Sequence, residues 1–282
     1  MYIDTFTKDS MIFSICDYLN VDHHTLTTFL SQAAQKANNS HYFDDDVFNR
    51  ELNNFIYSHL PHNCIDEILF FHLSRRLNDS INDHTGHNLM DLLTTFSPLS
   101  EFLKAHNVEF SKNETEIEIF HRGKFKSLEN SCDSDALYLR RRLGYNTKFK
   151  DFCFNGFAFK DMLYRNDYAR DLFNLPEFIG ILAQFLRRPD IANDYLEQSS
   201  FYCYEYLLPI KNVLFDDNED MPNEQKCIYL LNRVLNRLSD YQCYHIDDMY
   251  DRDNPMLRLD DFDTMHSKYF IGKELITRSM VF

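Results

Sequence analysis

Apolar residues recur at three- and four-residue intervals through the first sixty positions of the chain. Two groups show this spacing, and each would place its members on one face of a helix. They are Leu26, Phe29, Leu30 and Ala33, followed by Phe48, Leu52, Phe55 and Ile56. The acidic sequence FDDD precedes the second group and suits a helix N-terminus, where the helix dipole favours negative charge. The pattern predicts a helical N-terminal region over residues 1–63.

Shorter apolar runs separated by polar turns replace this pattern from residue 64 onward. The runs 65–73 and 201–208 are too short and too continuous for amphipathic helices, so each predicts a buried strand. The sequence VEFSKNETEIEIF predicts a hairpin that turns around its Ser-Lys-Asn. Helical spacing returns in NEQKCIYLLNRVLNRL. Strands that are well separated in sequence predict an α+β fold. Its body spans residues 64–282, either as a second domain or as one domain with the helical region.

Proline and glycine positions predict where several elements of this body begin and end. Ser97-Pro98 restarts a helix within LMDLLTTFSPLSEFLKAH, and Gly144 closes a helix over DALYLRRRLG. The sequence PEFIGILAQFLRRP predicts a helix that stops before its final proline. Residues FKDFCFNGFAFKDML predict a strand broken at Asn155-Gly156, and ELITRSMVF predicts a final strand.

Composition narrows the class of protein. The 282 residues are 44% apolar and include 26 Phe and 17 Tyr, which is enough material for a substantial core. The net charge of -15 argues against sequence-independent nucleic-acid binding over the whole surface. No apolar run reaches the ~18 residues of a membrane span, and the first residues lack the pattern of a signal peptide, so we expect a cytoplasmic protein. The seven Cys form no C-x-x-C pair, which suits reduced thiols. The six Gly form neither a dinucleotide fingerprint nor a P-loop.

One carboxylate, Glu205, lies inside the second apolar run, in SSFYCYEYLLPI. Burial of an ionised carboxylate is costly unless the group is paired or hydrogen-bonded. A half-exposed edge strand, or a pairing with an arginine, would account for Glu205 structurally. Enzymes also place catalytic carboxyl groups in apolar surroundings to tune them. Glu205 is therefore a candidate catalytic residue.

Two other residues share this apolar or aromatic setting. His72 lies within the first predicted strand, in ILFFHLSRRL, where a histidine bonded to a backbone carbonyl would be the structural interpretation. Tyr168 follows Gly156 in GFAFKDMLYRNDY. A glycine inside an aromatic run indicates a close approach of the backbone to another group. The order along the chain is a strand with His, a Gly-aromatic element with a downstream Tyr, and a strand with Glu.

This order resembles the H-Y-E layout of ADP-ribosyltransferases of the diphtheria-toxin and PARP type. GFAFKDMLYRNDY resembles the GIYF-like strand and downstream Tyr of that family, and YCYEYLLPI resembles its late strand with the catalytic Glu. Leu73 follows His72 where the family usually has Gly, and Ala158 replaces the second aromatic residue of the GIYF element.

The resemblance implies a split-sheet fold that cleaves the nicotinamide–ribose bond of NAD, in a setting such as a toxin or a phage-defence effector. It implies that Glu205 is catalytic, that His72 holds the ribose and that Tyr168 stacks on the nicotinamide. A carboxylate would stabilise the oxocarbenium character of the transition state, and an aromatic ring would attract the cationic nicotinamide. The implied NAD contacts are His72, Ser74, Arg75, Gly156, Phe157, Phe159 and Tyr168.

Residues 121–150 are basic within an acidic chain, with eight Lys or Arg against three Asp or Glu. Arg140, Arg141 and Arg142 cannot share one helical face, so at least one of them points differently. They are either a solvated helix surface or phosphate contacts, to NAD or to a nucleic acid. Pairs of His at 59/62 and 84/87 lack Cys partners at zinc spacing, and no metal site is predicted.

The sequence favours an NAD-dependent ADP-ribosyltransferase-like enzyme that modifies a macromolecular target, on the basis of the family resemblance. It requires that His72, Tyr168 and Glu205 converge on one cleft near Gly156. The main alternative is a non-catalytic protein-interaction or regulatory protein, which would bind its partner through the helical region and the acidic tail. A third hypothesis is a nucleic-acid binder that works through residues 121–150.

Overall fold

The computed structural model describes residues 1–38, 42–61, 64–78, 82–114, 116–128, 134–145, 150–216, 220–244 and 253–282. These residues contain eleven α-helices and nine β-strands. Helices make up 51% and strands 22%, and both sheets are antiparallel, so the predicted α+β class with a helical N-terminal region is confirmed. No helix in the described ranges is long and apolar enough to cross a membrane.

The chain forms two compact units, and each is assembled from three segments. Unit 1 comprises Met1–Phe71, Gly156–Asp167 and Tyr206–Leu257. Unit 2 comprises His72–Asn155, Tyr168–Glu205 and Arg258–Phe282. Two long strands, β1 (Glu67–Leu77) and β6 (Ser199–Pro209), each run from one unit into the other. Unit 1 therefore contains the helical N-terminal region together with later parts of the chain.

Three helices open unit 1: α1 (Lys8–Leu19), α2 (His23–Ala37) and α3 (Asp45–His59), and the two predicted apolar groups lie on α2 and α3. A side-chain oxygen caps the free backbone N–H groups at the start of each helix, and the capping residues are Thr7, Asp22 and Asp44. The predicted apolar residues of α2 and α3 are buried except for Phe29, which is half-buried and stacks on Phe55 at 3.9 Å between ring centroids. The predicted helix α10 (Asn223–Ser239) packs against α3.

Most helices of unit 2 follow one another between residues 89 and 197. They are α4 (Leu89–Thr94), α5 (Pro98–Ala105), α6 (Ser134–Arg142), α7 (Asp167–Asn174), α8 (Glu177–Leu186) and α9 (Pro189–Glu197). Ser97 caps α5 and Gly144 follows α6 with φ 81°, as predicted. The predicted helix α8 ends before Pro189, but this proline then starts α9, which the apolar pattern did not predict.

A small antiparallel sheet in unit 2 contains β2 (Val108–Asn113), β3 (Glu116–His121) and β4 (Lys124–Lys126), in that order. The hairpin is confirmed, but the predicted turn at Ser-Lys-Asn is wrong because these residues belong to β2. The register from Val108–His121 to Asn113–Glu116 keeps Ile117 and Ile119 buried. An earlier turn would shift the register and would move such residues to the other face.

The larger sheet has the strand order β7–β8–β5–β1–β6–β9. Its remaining strands are β5 (Asn155–Phe157), β7 (Leu214–Phe215), β8 (Met256–Arg258) and β9 (Phe270–Leu275). The predicted break at Asn155-Gly156 is wrong, because both residues belong to β5. The predicted last strand is correct only at its start, since β9 ends at Leu275 and residues Arg278–Val281 form the helix α11.

Candidate functional site

The register of β1 and β6 determines which side chains share a face of the larger sheet. The amide of Asn78 donates to the carbonyl of Gln198, and the amide of Ile210 donates to that of Asp66. Both bonds give one antiparallel register, which places His72 opposite Tyr204. Successive side chains of a strand point to opposite faces, so His72, Ser74 and Arg76 of β1 share a face with Tyr202 and Tyr204 of β6. We call this side of unit 2 the His72 face.

The imidazole of His72 is neutral and has a defined tautomer. Its Nδ1 lies 2.6 Å from the carbonyl oxygen of Asn155, which can only accept, so Nδ1 carries the proton. Burial, together with the nearby Arg76 guanidinium, lowers the pKa of His72 to about 3. The other nitrogen, Nε2, is consequently an acceptor. Among the described residues it has no hydrogen-bond partner.

Asn155 also binds Tyr168, but through its side chain, which lies on the other face of the sheet from His72. Its side chain is hydrogen-bonded to the Tyr168 phenol, while its carbonyl accepts from His72. Burial raises the pKa of Tyr168, so the phenol stays neutral. Asn155 was not predicted as a site residue, because it binds His72 through its backbone oxygen, which every residue type has. The only sequence signal was its place before Gly156 in the aromatic run.

A cation and several rings lie beside His72 on the same face. The Arg76 guanidinium lies over the ring of Tyr204, 4.0 Å from its centroid. Because Tyr204 lies opposite His72, this contact places the charge of Arg76 close to His72. Arg76 also donates to the carbonyl of Asp83 at 2.8 Å. His84 stacks on Phe270 with ring centroids 3.9 Å apart. Partial burial, Lys273 and Arg76 all lower the pKa of His84, so it too is neutral near pH 7.

Glu205 does not share this face with His72. It follows Tyr204 directly in β6, so its side chain points to the opposite side of the sheet. The amide of Ile276 donates to the carbonyl of Phe201, and this register puts Gly272 of β9 opposite Glu205. A Cβ at Gly272 would lie 2.5 Å from Glu205 Oε2, so the half-buried carboxylate occupies the space that a side chain would need. The expected convergence of His72, Tyr168 and Glu205 is thus not seen. In the register that pairs Phe157 with Phe71, Asn155 lies opposite Leu73, so its side chain, to which Tyr168 is bonded, points away from the His72 face.

The two residues that follow Leu73 have different surroundings. Ser74 lies on the His72 face and is half-buried. Arg75 points to the other side of β1, where it donates to Ser199 Oγ at 2.9 Å and to the carbonyl of Phe173 at 3.0 Å. Two longer bonds reach the carbonyls of Leu196 and Ser199. These contacts occupy the guanidinium within the fold, so Arg75 is not placed to contact a ligand on the His72 face.

The predicted contacts Gly156, Phe157 and Phe159 lie in unit 1 and belong to its core. A Cβ at Gly156 would lie 2.4 Å from the ring of Phe70, which explains the glycine by packing. Phe157 lies opposite Phe71 in the register of β5 and β1. The backbone of Phe159 is bonded twice to the Asn254 side chain, at 2.9 and 2.7 Å. Because both phenylalanine rings are buried, neither offers a face to a ligand in this structure.

The arginine run of α6 is partly neutralised by one carboxylate. Arg142 forms an ion pair with Asp151, and Arg141 Nε lies 3.7 Å from the same carboxylate. The Arg142 side chain is 22% exposed and that of Arg141 72%, so they do point in different directions, whereas Arg140 is half-buried. Within residues 121–150, the ranges 129–133 and 146–149 lie outside the described residues. The charge of Arg142 is therefore already balanced within the fold.

No group of three or more His, Cys, Asp or Glu that could hold a metal ion occurs among the described residues. His87 Nε2 lies 3.5 Å from Asp83, and His62 lies outside the described ranges. No family model, curated protein or solved structure matches this chain.

The His72 face carries one imidazole acceptor without a hydrogen-bond partner among the described residues and one guanidinium, that of Arg76. Arg76 has no carboxylate within ion-pair distance in the described part of the chain, although the Asp83 carboxylate is near enough to interact with its charge. An acceptor suits a sugar hydroxyl and a guanidinium suits a phosphate. Tyr204 is fully buried beneath the Arg76 guanidinium, so its ring offers no face to a ligand. Sequence reasoning missed Arg76 and Tyr204 because their proximity to His72 depends on the strand register.

Proposed function

We propose that this chain binds NAD on the His72 face and cleaves its nicotinamide–ribose bond, as an ADP-ribosyltransferase-like enzyme. The observation that carries the proposal is the Nε2 acceptor of a neutral His72, which has no hydrogen-bond partner among the described residues, beside Arg76, which forms no ion pair with a carboxylate among them. A ribose hydroxyl of NAD would donate to Nε2, and its pyrophosphate would meet Arg76. A toxin or phage-defence effector acting in the cytoplasm is the setting that the resemblance suggests.

The proposed reaction breaks the glycosidic bond between ribose C1′ and the nicotinamide nitrogen. The bonding electron pair leaves with nicotinamide, and C1′ forms a new bond to a nucleophile of the target or to water, which loses a proton. The oxocarbenium character that develops at C1′ calls for a nearby carboxylate. Because Glu205 points away from His72, it is not the carboxylate that the geometry favours. Asp83, whose carbonyl accepts from Arg76, is a carboxylate-bearing residue on the His72 side.

Titration calorimetry with NAD tests the binding step. We expect His72→Asn and Arg76→Gln each to weaken binding about tenfold, because each removes one hydrogen bond or charge contact worth ~1.4 kcal/mol or more. Asparagine keeps a donor for the Asn155 carbonyl but loses the Nε2 acceptor. Arg141→Gln is the matched control, since it removes an equal charge from an exposed side chain. Failure of the wild type to bind NAD, or equal effects of Arg76→Gln and Arg141→Gln, would contradict the proposal.

A non-catalytic protein-interaction role is the second candidate, because one exposed aromatic side chain lies beside a groove in unit 1, described below. The nucleic-acid alternative gains less support, since Asp151 already balances the charge of Arg142. A filter-binding series at increasing salt would test it. Binding that falls steeply with salt, and that is lost in Arg140→Gln, would favour this alternative over NAD.

A further inference from the structure

Helix α1 carries two apolar stripes, although a surface helix needs only one to join a core. The buried stripe consists of Met11, Ile15, Tyr18 and Leu19. A second stripe on the outer side contains Ile12, Phe13 and Cys16 at helical spacing. Phe13 is 76% exposed, so this ring does not contribute to the core. The second stripe is thus apolar surface that the described residues of unit 1 leave uncovered.

This stripe forms one wall of a groove of about 320 Å³ in unit 1. The lining residues are Asp9, Ile12, Phe13, Cys16, Val21, Asp22 and His23. An apolar cavity of about 150 Å³ is enough to hold a benzene molecule, so this groove has room for about two large apolar side chains. Because its rim residues are exposed, the groove is open to a macromolecule along its side.

The charges around the groove have one sign. Asp9 lies in the first turn of α1, and Asp22 caps α2 by accepting from the Thr25 amide at 2.7 Å. That backbone hydrogen bond lowers the pKa of Asp22, which keeps it ionised near pH 7. Within the described ranges, no Lys or Arg lines the groove. Two carboxylates therefore border the apolar residues of the groove. A partner segment with basic residues beside apolar side chains would be complementary both to these charges and to the apolar surface.

We propose that this groove docks a short basic amphipathic helix of a partner protein. The residues of α1 that line the groove have the i, i+3, i+4, i+7 spacing that places side chains on one face of a helix. They are Asp9, Ile12, Phe13 and Cys16. The lining side of α1 extends over about two turns, so two apolar residues one turn apart on the partner would fill the groove while their basic neighbours meet Asp9 and Asp22. This surface is independent of the NAD proposal, because all its residues lie outside the His72 face.

Three synthetic peptides of equal length test this proposal by fluorescence anisotropy. One is an amphipathic Leu/Lys helix, the second its Leu/Glu counterpart, and the third a scrambled Leu/Lys peptide without an apolar face. The proposal predicts binding of the first peptide alone. We expect Phe13→Ser to weaken it about tenfold, and Asp22→Asn to weaken it while keeping a side chain able to cap α2. Phe96→Ser is the matched control, because Phe96 is 87% exposed and lies in unit 2.

Alkylation of Cys16 locates the peptide on the surface. Cys16 lines the groove and is partly exposed, whereas Cys64 is exposed and does not line it. Saturation with the Leu/Lys helix should slow iodoacetamide labelling of Cys16 about tenfold and leave Cys64 unchanged, as read by mass spectrometry. Unchanged labelling of Cys16, equal binding of the scrambled peptide, or equal effects of Phe13→Ser and Phe96→Ser would each overturn the proposal.

Discussion

Acidification should destabilise this protein through His72. Its pKa is about 3 in the folded chain and about 6.5 in an unfolded one, so the unfolded state binds a proton first as the pH falls. The stability that the neutral imidazole contributes is complete above pH 6.5. It is lost as the pH falls toward 3, by up to ~1.4 kcal/mol per pH unit. Between pH 7.5 and pH 5 the expected loss is about 2 kcal/mol.

Urea unfolding at pH 7.5, 6.5 and 5 measures this loss in the wild type and in His72→Asn. The variant keeps a side-chain donor for the Asn155 carbonyl but has no titrating ring. Its free energy of unfolding should therefore depend less on pH, and the difference between the two proteins isolates His72 from the other histidines. If both proteins lose the same stability between pH 7.5 and pH 5, the environment assigned to His72 is wrong.

Three substitutions test the packing around the strands and the arginine run. Gly156→Ala should cost about 3 kcal/mol or more, because the new Cβ would lie 2.4 Å from an aromatic ring of β1 and 2.7 Å from its backbone. Gly272→Ala should cost less, about 1 kcal/mol, because its closest contact is the movable end of Glu205. Asp151→Asn should cost about 2 kcal/mol, because it leaves the largely buried Arg142 without its carboxylate. Urea midpoints measure all three changes.

Each of these expectations has a contradicting result. Equal costs for the two glycine substitutions would mean that the close approach in β5 is not rigid. Arg141→Gln is the control for Asp151→Asn and should change stability by less than ~0.5 kcal/mol, since that side chain is largely exposed. If it destabilised the protein as much as Asp151→Asn, the ion pair with Arg142 would not be the important contact.

Local patterns in the sequence were sufficient for most of the helices. In α2 and α3 the apolar residues repeat along a single face, and capping residues mark the beginning of each helix. β1 and β6 were found because a continuous apolar run of this length fits a strand better than a helix. Helix α9 was missed because Pro189, taken as the end of one helix, also serves as the first residue of the next.

The candidate site depended on information that the sequence does not contain. Strand pairing between segments more than a hundred residues apart decides that Tyr204 is opposite His72, and a shift of one residue would have placed Glu205 there instead. The role of Asn155 in binding His72 depends on its backbone oxygen, which any residue type could supply. Arg75 and Arg76 are neighbours in the sequence, yet the alternation of a strand sends one into the fold and the other to the His72 face.

Release of nicotinamide from NAD tests the proposed function most directly. Purified protein would be incubated with NAD and the products separated by liquid chromatography, with water as the default acceptor. We predict release by the wild type, loss of release in His72→Asn, and retained NAD binding in Glu205→Gln, whose side chain points away from His72. Asp83→Asn in parallel would show whether that residue supplies the carboxylate. No nicotinamide release, combined with no measurable NAD binding by the wild type, would contradict the account.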